Sequence, residues 1–377
     1  MLLALSSKIL EKRSLLLKAA KKLTELEGGF TASQLKELLK LPRSTISDWL
    51  RRLTAEGVLK VIEEGCGRKP TRYAYKPEEL LPASPCKRIF ALVDGEGQVE
   101  LVHDCLSEGA LRFCFYEYSR SGGVVVKARC GGSLLRLRLL TNLSRKVRIG
   151  PPPLPALGIE HASMKDEVVE VRMRALGGAA YSLVKAMPAA RGVMEVKRRV
   201  GGGEALGYLR VKALRYVAMG VDDTDSREEG ATWALALSLL KSLPEEVKGV
   251  EPIAHRVVAL NPFIEWRTTG NYASFIELGV PDGKLSELVE RAAEIVERSS
   301  LSPNCSLAVS YRFTPTSSLR ELGLKAKSSV VSVEEALAVA QGSGVEVAGG
   351  AGRRGVVGAV AALAYTDSED WELLKHG

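Results

Sequence analysis

Gly220-Val221-Asp222-Asp223-Thr224-Asp225-Ser226 is the stretch of sequence that decides the fold of the C-terminal part of this chain. It follows an apolar run at 216–221 and precedes a helical pattern at 231–243, so we predict a strand, an acidic loop and a helix. Three ionised carboxylates within four residues repel one another, and a bound cation relieves that repulsion. We therefore predict that Asp222, Asp223 and Asp225 hold Mg²⁺ beside substrate phosphates. An acidic surface turn is the alternative.

The whole chain has the composition of a cytoplasmic globular protein. It holds 377 residues, of which 46% are hydrophobic and 26% are charged, enough for two or three domains. No apolar run approaches the roughly 18 residues that span a bilayer, and the apolar start is too short for a signal sequence. The six cysteines form no CxxC pair, which disfavours a zinc ribbon and a disulfide framework. We expect a cytoplasmic protein with no membrane partner.

The first 80 residues are the basic part of the chain, with 16 Lys and Arg against 10 Asp and Glu. The whole chain carries a formal charge of +8, so most of the surplus lies here and indicates a polyanionic partner. A helical pattern at 6–26, a capped helix opening at Thr31, a helix opening near Ser44 and two short strands follow one another. This is the order of a winged helix-turn-helix, which we predict for residues 1–82.

The candidate nucleic-acid contacts lie on the third helix of this domain and on the hairpin after it. Short hydroxyls and arginines near a helix start suit base edges and phosphates in a groove, and a basic wing suits phosphates. The predicted contacts are Arg43, Ser44, Thr45, Ser47, Arg51 and Arg52 on the helix, and Arg68, Lys69 and Arg72 on the wing. DNA is the favoured partner and tRNA the second. A winged helix that docks protein and a merely solvated basic face are the alternatives, and a homodimer stays open.

The middle of the chain, residues 86–215, is predicted to be an α+β domain without an assigned role, after a linker marked by Pro82 and Pro85. Strands are expected at 88–93, 99–103, 111–118, 124–128, 134–140, 168–173 and 192–197, with a helix near 178–186. The alternation LRLRL at 135–139 predicts a half-buried strand with one wet basic face. Solvent is favoured over a nucleic-acid backbone as the neighbour of that face.

Three ordered blocks within residues 216–377 carry a resemblance to a known family. They are GVDDTDS at 220–226 followed by Ala231-Thr232, LNPFIEWRTTGN at 260–271, and GRRGVVGAVAA at 352–362. Together they resemble the archaeal agmatinylcytidine synthetase that modifies a minor isoleucine tRNA. An uncharacterised archaeal family, catalogued as a methanogenesis marker, is similar over a longer stretch. The resemblance implies a kinase-like α/β module that uses ATP to phosphorylate a tRNA cytosine before agmatine displaces the phosphate.

The same resemblance implies a ferredoxin-like insert at about 272–335 and a set of site residues. The catalytic residues would be Asp223, Asp225, Thr232 and Arg267, with Thr232 near the transferred phosphate and Arg267 as the cation for its oxygens. The ATP-binding residues would be Asp222, Ser226, Asn261, Thr268, Gly270, Asn271, Gly352, Arg353 and Gly355.

This sequence also departs from the synthetase pattern. Thr269 stands where the family usually has a basic residue, Ala231 where it often has cysteine, and Cys305 is the only cysteine after residue 130. Two hypotheses follow for the predicted α+β multidomain protein. We favour an ATP-dependent, nucleic-acid-binding enzyme that activates its substrate by phosphoryl transfer, and the isoleucine tRNA need not be that substrate. The alternative is a DNA-binding regulator whose C-terminal module senses a nucleotide or small molecule without turnover.

Overall fold

The computed structural model describes residues 2–56, 58–67, 69–75, 84–179, 183, 186–201 and 204–375. The chain divides into two compact units, Met1–Ala83 and Ser84–Gly377. Among the described helices, none combines the length and the apolar character needed to cross a membrane.

The first unit contains three helices and a small antiparallel sheet. Its elements are α1 (Leu2–Glu27), β1 (Phe30–Thr31), α2 (Ala32–Leu39), α3 (Arg43–Ala55), β2 (Leu59–Glu63) and β3 (Arg72–Tyr75). The three strands lie in the order β1-β3-β2, and β1 is an element that the sequence pattern did not reveal. The predicted cap of α2 is confirmed, because the Thr31 side chain accepts the Gln34 N–H and the Gln34 side chain accepts the Thr31 N–H. The α3 helix begins at Arg43, slightly earlier than predicted.

The second unit is built on one large sheet flanked by helices. Its elements are β4 (Cys86–Val93), β5 (Val99–Cys105), α4 (Glu108–Arg120), β6 (Val125–Gly131), β7 (Leu134–Leu139), β8 (Leu143–Ser144), β9 (Leu157–Lys165), β10 (Val168–Leu176), β11 (Val193–Gly201), β12 (Glu204–Asp222), α5 (Thr232–Glu246), β13 (Glu251–Ala259), β14 (Tyr272–Val280), α6 (Leu285–Ser299), β15 (Ser306–Ser310), α7 (Ser317–Ser328), α8 (Val333–Ser343), β16 (Glu346–Gly349), α9 (Val356–Leu363) and α10 (Asp370–Leu373). The strands from β4 to β16 that the structure describes form a single sheet of thirteen strands. The helix predicted near 178–186 falls mostly outside the described residues.

The 19-residue strand β12 connects the two parts of this sheet. Its first half pairs antiparallel with β10 and β11, and its second half pairs with β4, β14 and β15. The boundary predicted at residue 215 therefore falls inside a continuous strand. Within the segment 272–335, β14 and β15 are hydrogen-bonded directly to β12 and so belong to the same sheet.

Helices cover both faces of the second half of β12. Alternate apolar residues such as Val217 and Met219 pack against α5 and α6, whereas Tyr216 and Ala218 belong to the core formed with α7, α8 and α9. Gly220 allows α9 to approach closely, since a Cβ on Gly220 would lie 2.0 Å from the carbonyl oxygen of Ala359. This close contact sets α9 beside the C-terminal end of β12.

Residues 111–118 were predicted to be a strand but form the middle of α4. The side chain of Ser107 caps this helix by accepting the backbone N–H of Ala110 at 3.2 Å. Leu111 and Tyr118, two turns apart, are buried against the sheet. The aromatic content of the segment favours a strand, but the cap and the helical spacing of its apolar residues decide the structure.

The prediction of a wet basic face on β7 is also wrong. Arg136 is only 5% exposed, and its guanidinium donates to Glu100 and to Glu277, each at 2.6 Å. Arg138 donates to the same Glu100 carboxylate at 2.8 Å. Burial alone would raise the pKa of Glu100, but Arg136, Arg129 and Arg138 lower it to about 2. A buried ion network therefore replaces the expected contact with solvent.

Candidate functional site

A cavity of about 580 Å³, here called the cleft, opens at the C-terminal end of β12. Its walls come from the acidic loop, the start of α5, the loop between β13 and β14, the loop between α7 and α8, and the region where α9 begins. The predicted site residues that line it are Asp222, Asp223, Asp225, Thr232, Asn261, Arg267, Thr268, Gly270 and Asn271. The cleft lies in the roughly 300–1,000 Å³ range of small-molecule sites.

Asp225 joins the first two sequence blocks within the cleft. Its Oδ1 accepts the hydroxyl of Thr232 at 3.0 Å, and its Oδ2 accepts the hydroxyl of Thr268 at 2.9 Å. Thr232 in turn accepts hydrogen bonds from the backbone and the hydroxyl of Thr224, at 3.3 and 3.2 Å. Both carboxylate oxygens of Asp225 are thus occupied by protein hydroxyls, which fixes the acidic loop against α5 and the 260–271 loop.

The two asparagines of the second block shape the 260–271 loop. The Asn271 side chain donates to the Asn261 carbonyl at 2.8 Å, and the Asn261 side chain accepts the Phe263 N–H at 3.0 Å. Arg267 lies at the exposed part of this loop, where its guanidinium donates to the carbonyl of Thr269 at 3.0 Å. The loop therefore presents one arginine at the rim of the cleft.

Asp222 and Asp223 have different surroundings. Burial, and secondarily the neighbouring Asp223, raise the pKa of Asp222 well above its ordinary range. Asp223 has a φ of 55°, an uncommon left-handed conformation for a residue other than glycine. Its carboxylate accepts from the Ser302 hydroxyl at 3.2 Å and from Arg354 at 3.3 Å. Gly358 of α9 lies directly against the Asp222 carboxylate.

The side chains of the three aspartates have different partners in the described structure. Among the residues that the structure describes, no group of three or more His, Cys, Asp or Glu side chains could hold a metal ion. The reason is visible in the contacts above, because Asp225 is turned toward Thr232 and Thr268 while Asp223 is turned toward Arg354. Asp222 instead lines the cleft beside α9, and its carboxylate leaves no room for a Cβ on Gly358.

Four predicted ATP-binding residues lie outside the lining of the cleft, namely Ser226, Gly352, Arg353 and Gly355. Arg353 instead makes an ion pair with Glu297 at 2.7 and 2.9 Å. The neighbouring Arg354, which sequence reasoning did not select, lines the cleft with its guanidinium carbon 5.6 Å from the centre of the Trp266 ring. The adjacent Arg353 and Arg354 in the third block indicate that an arginine could reach the cleft. The sequence does not tell which of the two turns toward it.

The candidate nucleic-acid contacts of the first unit fall into two groups. Those that are exposed on α3 are Arg43, Ser44, Ser47, Arg51 and Arg52, while Thr45 is half-buried. Arg51 and Arg52 pair with Asp48 at 3.4 and 3.2 Å, and their side chains remain 78% and 63% exposed.

The predicted wing residues are more engaged with the protein. Lys69 is paired with Glu63, and Arg72 donates to the Glu27 carbonyl at 3.2 Å at the end of α1. Arg68 lies outside the described residues. The helix therefore offers more uncommitted positive charge than the described part of the wing.

Fold and site together define the second unit as an α/β module whose central strand ends in an acidic loop beside a deep cleft. Residues 218–352 match the TiaS TCKD domain family, so the chain contains a TiaS-like module. The chain is 32% identical over 167 residues to the isoleucine-tRNA 2-agmatinylcytidine synthetase TiaS of Pyrobaculum neutrophilum, covering 42% of this chain and 38% of the synthetase.

Other relatives are similar over different lengths. An uncharacterized protein of Methanocaldococcus jannaschii, MJ0921, is 28% identical over 285 residues, which cover 74% of this chain and 94% of that protein. That alignment is longer than the segment 218–352 and so extends beyond the TiaS-like module. Among solved structures, the complex of TiaS with its isoleucine tRNA and ATP is 26% identical over 40% of this chain and 36% of its own, with a TM-score of 0.36. The chain thus spans well under half of the synthetases it matches.

Proposed function

We propose that the second unit binds ATP in the cleft and transfers a phosphoryl group to activate a nucleic-acid substrate. The observation that carries this proposal is the double hydrogen bond of Asp225 to Thr232 and Thr268, which joins two of the three synthetase-like blocks around one cleft. The relation to TiaS supports it, because the synthetases that the chain resembles include one solved with tRNA and ATP.

The charges around the cleft suit a triphosphate. Arg267 and Arg354 both line it, and Arg is the side chain that best recognises phosphate oxygens. The α5 helix begins at Thr232 with no side-chain cap at Ala231, so its first N–H groups are free of a capping side chain at that residue. A helix N-terminus of this kind is a favourable place for phosphate. Positioning and charge neutralisation are the main requirements of phosphoryl transfer, and these groups supply both.

Magnesium fits this site through one or two aspartates rather than three. Burial raises the pKa of the Asp222 carboxyl, and a bound cation would stabilise its charged form. Mg²⁺ commonly takes one or two protein carboxylates and completes its shell with water and substrate phosphates. Asp222 would hold the ion, and Asp223 would join it after release from Arg354. The bound ion would neutralise charge on the phosphates.

We propose further that the first unit is a winged helix that selects the nucleic acid. Its element order and its sheet order β1-β3-β2 support this, together with the exposed arginines and serines of α3. The proposed contacts are the residues named for α3 and the wing above. DNA and tRNA remain the two candidate partners.

Nucleotide turnover is the direct test of the proposed enzyme. The full chain is incubated with Mg²⁺–ATP alone, with tRNA or with duplex DNA, and ADP, AMP and phosphate are followed. We expect turnover stimulated by a nucleic acid in the wild type and in Asp282→Ala, an exposed aspartate paired with Arg215 away from the cleft. Asp223→Ala should lose this stimulated turnover of ATP. If ATP binds but is not turned over under any condition, the alternative of a nucleotide-sensing regulator is favoured. If ATP does not bind at all, the proposal is refuted.

Salt dependence of binding tests the winged helix. Each phosphate contact that is lost reduces the slope of log K against log salt by about 0.9 for duplex DNA. Arg51→Ala with Arg52→Ala should therefore weaken binding and lower the slope by about 2. The matched double variant Lys12→Ala with Lys18→Ala removes two exposed charges from α1 and should leave the slope unchanged. Equal slopes in both double variants would exclude α3 as the contact helix.

A further inference from the structure

A second cavity of about 260 Å³ lies in the second unit, outside the cleft. It is bounded by β6, β7, β13 and the segment just before α10. Its polar side chains are Arg129, Arg136, Arg256, His255, Ser368 and Glu369. None of these residues belongs to the cleft or to the synthetase-like blocks. Glu369 contributes a carboxylate to this lining, and its backbone N–H donates to the Glu372 side chain at 3.2 Å. Three arginines against this one carboxylate give the lining a positive balance.

The strand register places like charges next to one another around this cavity. Arg129 on β6 lies directly opposite Arg136 on β7, and Lys127 lies opposite Arg138. Like charges in facing positions are destabilising unless they are neutralised. Within the described chain, three carboxylates neutralise these positive charges, and six basic side chains share the three carboxylates. The carboxylates are Glu100, Glu277 and Asp367, and the basic residues are Lys127, Arg129, Arg136, Arg138, Arg256 and Arg320. The network has more positive than negative charge.

Two buried polar atoms of the lining residues have no hydrogen-bond partner within the described chain. They are Nη2 of Arg136, whose other guanidinium nitrogens are bonded to Glu100 and Glu277, and Nε2 of His255. Arg136 is only 5% exposed, so bulk solvent does not satisfy this nitrogen. An unsatisfied buried polar atom costs about 1–3 kcal/mol, and more when it is a charged donor such as Nη2 of Arg136. Nη2 of Arg136 and Nε2 of His255 both belong to residues that line this cavity, and the surrounding network has surplus positive charge. Together these observations indicate a missing anionic partner.

We propose that this second cavity binds one phosphate-like oxyanion. A tetrahedral oxyanion accepts hydrogen bonds from several directions. Unlike a water molecule, it also carries negative charge that offsets the surplus of positive charge in the network. The cavity is smaller than the roughly 300–1,000 Å³ of sites for drug-sized molecules, so a phosphate group fits it better than a whole nucleotide. The phosphate is either the free ion or the terminal group of a larger molecule.

The test is a calorimetric titration of the full chain with inorganic phosphate at constant ionic strength. Arg256→Gln removes a cation from the lining, and Ser368→Leu fills the cavity without changing charge. Both should weaken phosphate binding by at least about tenfold, the effect of losing one charge-assisted hydrogen bond. Arg320→Gln removes a more exposed arginine that lies 3.9 Å from Asp367 and does not line the cavity, so it should leave the affinity unchanged. Arg267→Ala should also leave it unchanged, which separates this site from the cleft.

The outcomes are distinct. Three results would overturn the proposal. The wild type does not bind phosphate, phosphate binding is lost only in Arg267→Ala, or phosphate binding is unchanged in folded Ser368→Leu. Near-ultraviolet circular dichroism checks each variant for native packing, and Ser368→Leu decides if Arg256→Gln does not fold. A parallel titration with glycerol phosphate separates the two sources. Equal affinity for both probes assigns the site to a terminal phosphate, and binding of inorganic phosphate alone assigns it to the free ion.

Discussion

Gly358 of α9 offers the sharpest test of the cleft, because the added atom of an alanine would strike a single functional group. A Cβ there would lie 1.8 Å from Oδ2 and 2.5 Å from Cγ of Asp222, so the carboxylate must rotate away. Such an off-rotamer side chain costs about 0.5–1.5 kcal/mol. Replacing a helical glycine by alanine gains roughly 0.5–1 kcal/mol. We expect these terms to cancel to within about 1 kcal/mol in the free energy of unfolding.

Binding should change far more than stability in Gly358→Ala. Displacing a carboxylate that would hold Mg²⁺ removes a charged ligand, so we expect the affinity for Mg²⁺–ATP to fall by at least about tenfold. The matched control is Gly342→Ala in α8, an exposed helical glycine with no atom within 4 Å of the added Cβ. It should gain roughly 0.5–1 kcal/mol and bind ATP normally. Urea unfolding and calorimetric titration measure both quantities. A Gly358→Ala protein that matches this control in stability and in affinity would refute the placement of Asp222 in the site.

Three further predictions concern charge. Glu100 has a pKa of about 2, below its ordinary value of 4.5, so its stabilising effect is present above pH 4.5 and is lost as the pH falls toward 2. Urea unfolding over that range should show this loss, and Glu100→Gln should flatten it. Asp222 has a raised pKa and must release its proton to hold a cation, so the affinity for Mg²⁺–ATP should rise with pH in the wild type. A titration of Asp222→Asn that keeps this pH dependence would contradict the assignment. Arg354→Ala should weaken ATP binding by about tenfold. Arg353→Ala breaks an exposed ion pair and should leave both stability and affinity nearly unchanged.

Local patterns in the sequence were sufficient for much of the fold around the cleft. The apolar run before Asp222 and the helix that begins at Thr232 lie where their periodicity predicts them. The capping pair of Thr31 and Gln34 is also as predicted. These features depend on residues close together in the chain, and sequence reasoning detects them for that reason.

Features that depend on distant partners could not be predicted. Arg136 looks like a solvated residue in an alternating strand, and only the approach of Glu277 from β14 shows that it is buried. The orientation of Asp225 is decided by Thr268, which is 43 residues away in the chain. The choice between Arg353 and Arg354 depends on Glu297 and Trp266, again from other elements. In each case the residue types were visible, but their partners were not.

The long strand β12 has a consequence for cooperativity. The match to the TiaS TCKD family begins at residue 218, four residues before this strand ends, so most of β12 lies outside the matched segment. One strand thus carries the pairing with β10 and β11 at one end and the acidic loop at the other. We expect these parts to belong to one cooperative unit. A mutation far out in that part of the sheet can change how often the cleft is formed without touching any residue that lines it.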